Sequence, residues 1–232
     1  MNKDATLTIT KLRKNLTNLM KGLSEIRRDY TKAKLDLESV DKDPIAQFEK
    51  WFKEAVDSQA LEPNAMNLAT IAEGGRPTSR IVLLKGIESK RFVFYTNYQS
   101  QKGRELENNP LCALNFFWPE LERQVRIEGV ASRVTEDNSL AYFQSRPRES
   151  QIGAWASPQS SIIKDRSLLE ERVKQIEQRF EGQQVLPKPK QWGGYAVAAH
   201  EIEFWQGRPS RLHDRIVYTL VEDQWKINRL AP

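Results

Sequence analysis

At Ala65 the spacing of apolar residues changes, and that change sets what the chain can become. Before it, Asp43-Pro44 supplies a helix cap and a proline at the first helical position. Ile45, Phe48, Phe52, Ala55 and Val56 then recur at helical intervals, with an end expected near Ala60. After it, alternating runs predict strands over 65–71, 78–85, 91–96, 111–118, 123–135, 192–206, 212–221 and 224–229. Glu73-Gly74-Gly75-Arg76-Pro77 turns the first pair into a hairpin, and Gly129 is expected to bend the long strand. Helices are predicted over 136–146 and 165–180, the second burying Leu169, Val173, Ile176 and Phe180. A short helix or turn over 100–109 ends at Pro110, and 183–190 reads as a linker. Short antiparallel strands interrupted by a few helices imply a mainly β fold: a closed or partly closed barrel with helices packed outside.

At 232 residues the chain fits one domain with an appendage. Residues 1–24 are polar and are expected to form a flexible arm, with 25–232 as the folded domain. No apolar run approaches the roughly 18 residues that span a bilayer, and the N-terminus has no apolar signal core. The expectation is a cytoplasmic protein with no membrane partner. Cys112, the one cysteine, lies in a predicted strand and reads as a buried thiol; one Cys and two His predict no metal site. A net charge of +5 points to an anionic partner, either nucleic acid or small phosphorylated ligands.

Four constellations suit such ligands. In Arg80-Ile81-Val82-Leu83-Leu84-Lys85 the two cations are five residues apart, so a regular strand would aim them at opposite faces, where two separate anions could be held. By itself the run reads first as a core strand with charged ends. Tyr95-Thr96 with Ser100-Gln101-Lys102 places hydroxyls and a cation at a helix start, a plausible phosphate cradle. Tyr142 and Arg146 share a helix face, and Ser150 follows the break at Pro147; phenol, guanidinium and hydroxyl together suit a phosphate monoester. Finally, Ile202–Gln206 reads as a strand with Glu203 and Trp205 on one side, turned by Gly207 and Pro209. In the Arg211–Arg215 exit, alternation puts Arg211, His213 and Arg215 on one face. These cations repel unless something anionic or electron-rich sits opposite; taken alone, the cluster reads first as a solvated edge strand and only second as a site.

Glu203-Phe204-Trp205-Gln206-Gly207, then Arg211-Leu212-His213-Asp214-Arg215, with Leu230-Ala231-Pro232 at the end, resembles the close of the pyridoxine/pyridoxamine 5′-phosphate oxidase family. Arg27-Arg28-Asp29-Tyr30, Arg80–Lys85, Glu122–Val125, Ser145–Trp155 and Gln159-Ser160-Ser161 are similar to further family motifs, in the same order over about residues 22–232. The resemblance implies an FMN-binding split β-barrel, usually a homodimer with flavin sites between subunits. It implies oxidation of pyridoxamine 5′-phosphate and pyridoxine 5′-phosphate by dioxygen, giving pyridoxal 5′-phosphate and hydrogen peroxide.

Carried onto this sequence, the resemblance assigns FMN to Arg80, Ile81, Val82, Leu83, Leu84, Lys85, Tyr95, Thr96, Lys102, Gln124, Gln159, Ser160, Trp205 and Arg215. It gives the substrate phosphate to Lys85, Tyr142, Arg146 and Ser150. A lid of Arg27, Arg28, Asp29 and Tyr30 would fold over the substrate. Arg211 and His213, with Leu212 between them, would flank the reacting carbon as the catalytic pair. Two positions depart from the pattern: Gln101 stands where the family usually has Arg, and Glu62 where many members have Asp. The rival readings are another split-barrel flavoprotein, such as a flavin reductase, and a nucleic-acid-binding β-barrel favoured by the basic charge and six tryptophans. The clustered phosphate groups argue against the reductase, and no nucleic-acid partner is expected.

Overall fold

The structure, a computed structural model, describes residues 29–232, so the arm over 1–24 and the lid residues Arg27 and Arg28 lie outside the described residues. Helix α1 (Pro44–Asp57) starts where the sequence places it: the Asp43 carboxylate accepts the Ile45 N–H at 3.0 Å, and Pro44 opens the first turn. Its apolar face carries Phe48 and Trp51. The Phe48 ring meets the edges of Phe92 and Phe116 at 5.0 Å each, which fixes the helix across one face of the sheet. The helix ends at Asp57, three residues before the predicted end.

The strands are β1 (Ala65–Ile71), β2 (Pro77–Leu83), β3 (Gly86–Glu88), β4 (Arg91–Asn97), β5 (Leu111–Trp118), β6 (Arg123–Arg133), β7 (Trp192–Gln206), β8 (Asp214–Val221) and β9 (Gln224–Leu230). Every pairing is antiparallel, in the order β2-β1-β5-β6-β7-β4-β3, with β8 and β9 continuing from β7. The sheet curls into a half-barrel around a core that includes Leu68, Leu114, Phe116, Ile127 and Phe204. The fold is the split β-barrel expected from the sequence.

Strand β7 organises it. Over its first half it pairs with β4, over its second with β8, and from Tyr195 to Gln206 with β6. The register against β6 slips between Glu128 and Gly129 and leaves His200 as the extra residue. The irregularity falls at Gly129, where a bend was predicted, but its extra residue is in β7, and it is where β7 exchanges one neighbour for the other.

Helices α2 (Gln101–Asn108), α3 (Glu136–Ser145), α4 (Arg148–Ala156) and α5 (Ser167–Arg179) complete the fold. A second core of Phe143, Ile152, Phe180, Leu186 and Trp192 lies beneath α3–α5. One sequence expectation needs correction here, and one helix was not predicted. Leu169, Val173 and Ile176 are only half buried, because α5 lies on the outside of this small core, and Phe180 beyond its end is the buried member. Residues 148–156, given no element by the sequence reading after the Pro147 break, form a helix. Pro147 ends α3 and at the same time caps the start of α4, where its missing N–H costs nothing.

Candidate active site

One cavity of about 660 Å³ opens between the barrel and α3–α4. Its wall brings together Ile81, Val82, Leu83, Lys85, Tyr95, Thr96, Lys102, Tyr142, Arg146, Ser150 and Gln159, eleven residues singled out from the sequence. Among the described residues, Lys85, Lys102 and Arg146 supply three cations, and no Asp or Glu lines the wall.

At one part of the wall, Lys102 directs its ammonium at the Thr96 hydroxyl (3.3 Å), the Ser100 hydroxyl (3.5 Å) and the Gln159 side-chain carbonyl (3.2 Å). Ser100 also caps α2 by accepting the Gly103 N–H. Burial lowers the Lys102 pKa and the nearby Arg80 lowers it further, with Glu105 opposing. The ammonium therefore has neutral partners and gains from an added anion.

Elsewhere on the wall, Tyr142 and Arg146 lie one turn apart at the end of α3, and Ser150 stands in the first turn of α4. One terminal nitrogen of Arg146 is buried with no hydrogen-bond partner among the described residues. Burial lowers the pKa of this guanidinium, yet it remains a cation. A half-buried guanidinium with one buried, unpartnered nitrogen, beside a phenol and a hydroxyl, suits an anion.

Arg80 behaves differently from its sequence reading. It does not line the cavity. Its guanidinium donates to Glu105 at 3.0 Å, to the Thr78 hydroxyl at 2.8 Å and to the Thr70 hydroxyl. Glu105 also accepts from Thr70 (2.5 Å), Thr78 (2.7 Å) and Gln101 (2.8 Å). Burial would raise the pKa of this carboxyl, but those hydrogen bonds bring it down to about 2. Gln101 thus serves Glu105. Strand β2 stops at Leu83, so simple alternation does not carry from Arg80 to Lys85.

The remaining residues form a second group on the outward face of β6–β8. Pairing aligns Gln124 with Trp205 and Trp205 with Arg215 in one row. Glu203 holds Arg215 through two hydrogen bonds, at 2.7 and 3.1 Å, and raises its pKa. Trp205 packs against His213 (4.6 Å between centroids) and Tyr30 (5.8 Å). Tyr30 lies directly on Gly207: a Cβ there would come within 2.7 Å of the phenol ring, so only glycine fits. Asp29, Arg211, Leu212 and Ser160 are exposed, and Leu84 is buried in the core.

The segment Arg211–Arg215 is not the extended run predicted. Ser210 and Arg211 take left-handed backbone angles (φ +56° and +61°) in a single turn of 3-10 helix, and β8 starts only at Asp214. The turn lets the Arg208 N–H donate to Nδ1 of His213 at 3.1 Å. Neutral His213 therefore carries its proton on Nε2. Burial, and next the Arg211 charge, lower its pKa, which favours that neutral form.

The cavity also contains residues the sequence reading passed over, Trp192 above all. The signal was available in Trp192-Gly193-Gly194, a large ring followed by two residues without side chains at the start of a strand.

A curled antiparallel half-barrel with a cationic cavity, free of carboxylates among the described residues, defines a split-barrel protein with a cavity suited to anions. Comparison with known proteins narrows the class. Residues 52–180 match the family described as pyridoxamine 5′-phosphate oxidase, and residues 192–232 match the pyridoxine 5′-phosphate oxidase C-terminal dimerisation region. The chain belongs to the pyridoxine/pyridoxamine 5′-phosphate oxidase family, an oxidoreductase family. Proteins of that name from Burkholderia mallei and Burkholderia thailandensis are each 55% identical over 216 residues, covering 92% of this chain and all of theirs. PhzG from Burkholderia lata, solved with tetrahydrophenazine-1-carboxylic acid, superposes with a TM-score of 0.80 at 28% identity, over 87% of this chain and all of that one. A pyridoxamine 5′-phosphate oxidase-related, FMN-binding protein from Nostoc punctiforme shares the fold, with a TM-score of 0.63 at 16% identity over 80% of this chain and 97% of its own.

Proposed function

We propose that the chain is an FMN-dependent oxidase that converts pyridoxamine 5′-phosphate and pyridoxine 5′-phosphate to pyridoxal 5′-phosphate, with dioxygen as acceptor and hydrogen peroxide released. The observation that carries this reading is the cavity: among the described residues, three cations, no carboxylate on the wall, and a buried Arg146 nitrogen without a partner. Such a wall suits two phosphate monoesters, one on the cofactor and one on the substrate. Lys102, Thr96 and Gln159 would hold FMN at its phosphate end, with Arg80 close behind them. Lys85, Tyr142, Arg146 and Ser150 would hold the substrate phosphate. FMN, when bound, supplies the hydride acceptor for the substrate's C4′ and passes the electrons to dioxygen.

The second group fits this reading if two chains pair. Gln124, Trp205, Arg215, Arg211 and His213 stand apart from the cavity, on a sheet face that also leaves Phe117 51% exposed. In a homodimer the partner would present this face to the cavity and complete each site, which agrees with the dimerisation region matched over 192–232. His213, neutral and carrying its proton on Nε2, would donate a hydrogen bond to the substrate. Arg211 would stabilise negative charge near the reacting carbon, since a guanidinium is a poor base. Residues 25–232 would act as one oxidase unit in the cytoplasm, with the lid segment Arg27–Tyr30 closing over the substrate.

The test is one absorbance experiment. The purified protein, supplied with FMN, should hold one flavin per chain, and its visible band should bleach when pyridoxamine 5′-phosphate is added without oxygen. Admitting air should restore the band and release hydrogen peroxide. A protein that takes up no FMN, or whose flavin band is untouched by either substrate, overturns the reading.

A further inference from the structure

We propose that Trp192 is a positioning residue for the anion site, holding Arg146 and Tyr142 in place without neutralising the arginine; the inference rests on the reading of that site given above. Trp192 opens β7, is 6% exposed, and lies nearly parallel to two tyrosine rings. Tyr95 and Tyr142 stack at 3.9 Å and 18°; Trp192 adds to them at 5.4 Å and 11° from Tyr95, and 6.1 Å and 7° from Tyr142. The Arg146 guanidinium carbon sits 4.8 Å from the Trp192 ring centroid, a cation–π contact. One ring thus touches both the phenol and the guanidinium of the proposed phosphate clamp.

The anchoring of Trp192 is itself firm. The buried Lys188 ammonium donates to the Trp192 carbonyl at 2.7 Å and pairs with Glu136 at 3.0 Å. Gly194, two residues on, lets the Tyr95 ring lie against the strand: a Cβ there would come within 2.8 Å of it.

Comparison with the other arginines shows why a ring is used here. Arg80 is oriented by Glu105 and Arg215 by Glu203, each through a buried carboxylate that also offsets its charge. Arg146 has no such partner among the described residues. An indole face orients a guanidinium through its quadrupole and carries no net charge. The whole positive charge of Arg146 stays available to a phosphate dianion, whereas a carboxylate in the same place would compete with it.

The test uses the FMN-loaded protein with Trp192→Phe and Trp192→Leu. Calorimetry measures the dissociation constant for inorganic phosphate, and steady-state kinetics measures KM and kcat for pyridoxamine 5′-phosphate. Loss of the indole should weaken phosphate binding and raise KM by about tenfold in Trp192→Leu and about threefold in Trp192→Phe, with kcat and flavin content kept. Trp192→Phe retains a ring in the small core, so it decides the matter if Trp192→Leu fails to fold. In an Arg146→Ala background, Trp192→Phe should change either constant by much less than it does alone, because most of its effect runs through Arg146. The inference is overturned if both variants bind phosphate within about twofold of the unsubstituted protein, or if the effects of Trp192→Phe and Arg146→Ala simply add. If the unsubstituted protein itself fails to bind phosphate, the anion site and the role of Trp192 fall together.

Discussion

Glu105 offers the most quantitative check of the site's internal electrostatics. Its carboxylate is 7% exposed, accepts from Thr70, Thr78, Gln101 and Arg80, and has a pKa of about 2 against an ordinary 4.5. The drop of about 2.5 units corresponds to about 3 kcal/mol at neutral pH. The direction follows from proton binding. The unfolded chain takes up this proton near pH 4.5 and the folded chain only near pH 2, so the contribution is complete well above 4.5 and is lost as pH falls through 2. By pH 3 it should be down to about half. Glu105→Gln keeps the shape, removes the charge and turns one acceptor into a donor facing other donors. Urea unfolding of both proteins at pH 7 should therefore show a loss of about 2–3 kcal/mol, narrowing to about 1 kcal/mol at pH 3. A loss that is the same at both pH values would mean that the cost is steric and that the charge network contributes little. A variant as stable as the parent at pH 7 would refute the network outright.

Gln101 donates to Glu105 and stays out of the cavity wall, so Gln101→Arg should pair with the same carboxylate while adding a cation beside Lys102. Equilibrium titration should show FMN binding tightened, but by less than tenfold because Glu105 offsets part of the charge; unchanged or weaker binding would mean the new charge does not reach the phosphate. Arg146→Ala removes a charge-assisted contact of about 1.5–3 kcal/mol and should raise KM by about 10- to 150-fold with flavin content intact. Arg211→Ala should instead lower kcat, since charge stabilisation beside the reacting carbon counts most in the transition state. Kinetics and flavin content of the two variants decide both, and an Arg146→Ala protein that lost flavin but kept its KM would reverse the assignment of the two phosphate sites.

Much of the fold was legible in local sequence because its signals are local. Asp43-Pro44 fixes the start of α1 through a hydrogen bond spanning two residues, and the alternation of Leu111–Trp118 and Arg123–Arg133 fixes which side chains enter the core. Gly129 marked the bulge for a similar reason, since the Ala198 carbonyl leaves no space there for a side chain. The motif resemblance likewise picked out eleven residues that share one cavity. Tertiary structure decided what depends on distant partners. Arg80 is engaged by Glu105, twenty-five residues away along the chain, so its strand position could not reveal that its charge is already balanced. Helix spacing groups Arg146 with Tyr142, but only packing buries one of its nitrogens and lays Trp192, far along the sequence, across its face. Alternation failed at Arg211 because two left-handed residues redirect the chain before β8, and nothing in Ser210-Arg211 announces that turn. Periodicity and capping act over a few residues and are written in the sequence, whereas the charge balance of an arginine is set by what folding brings beside it.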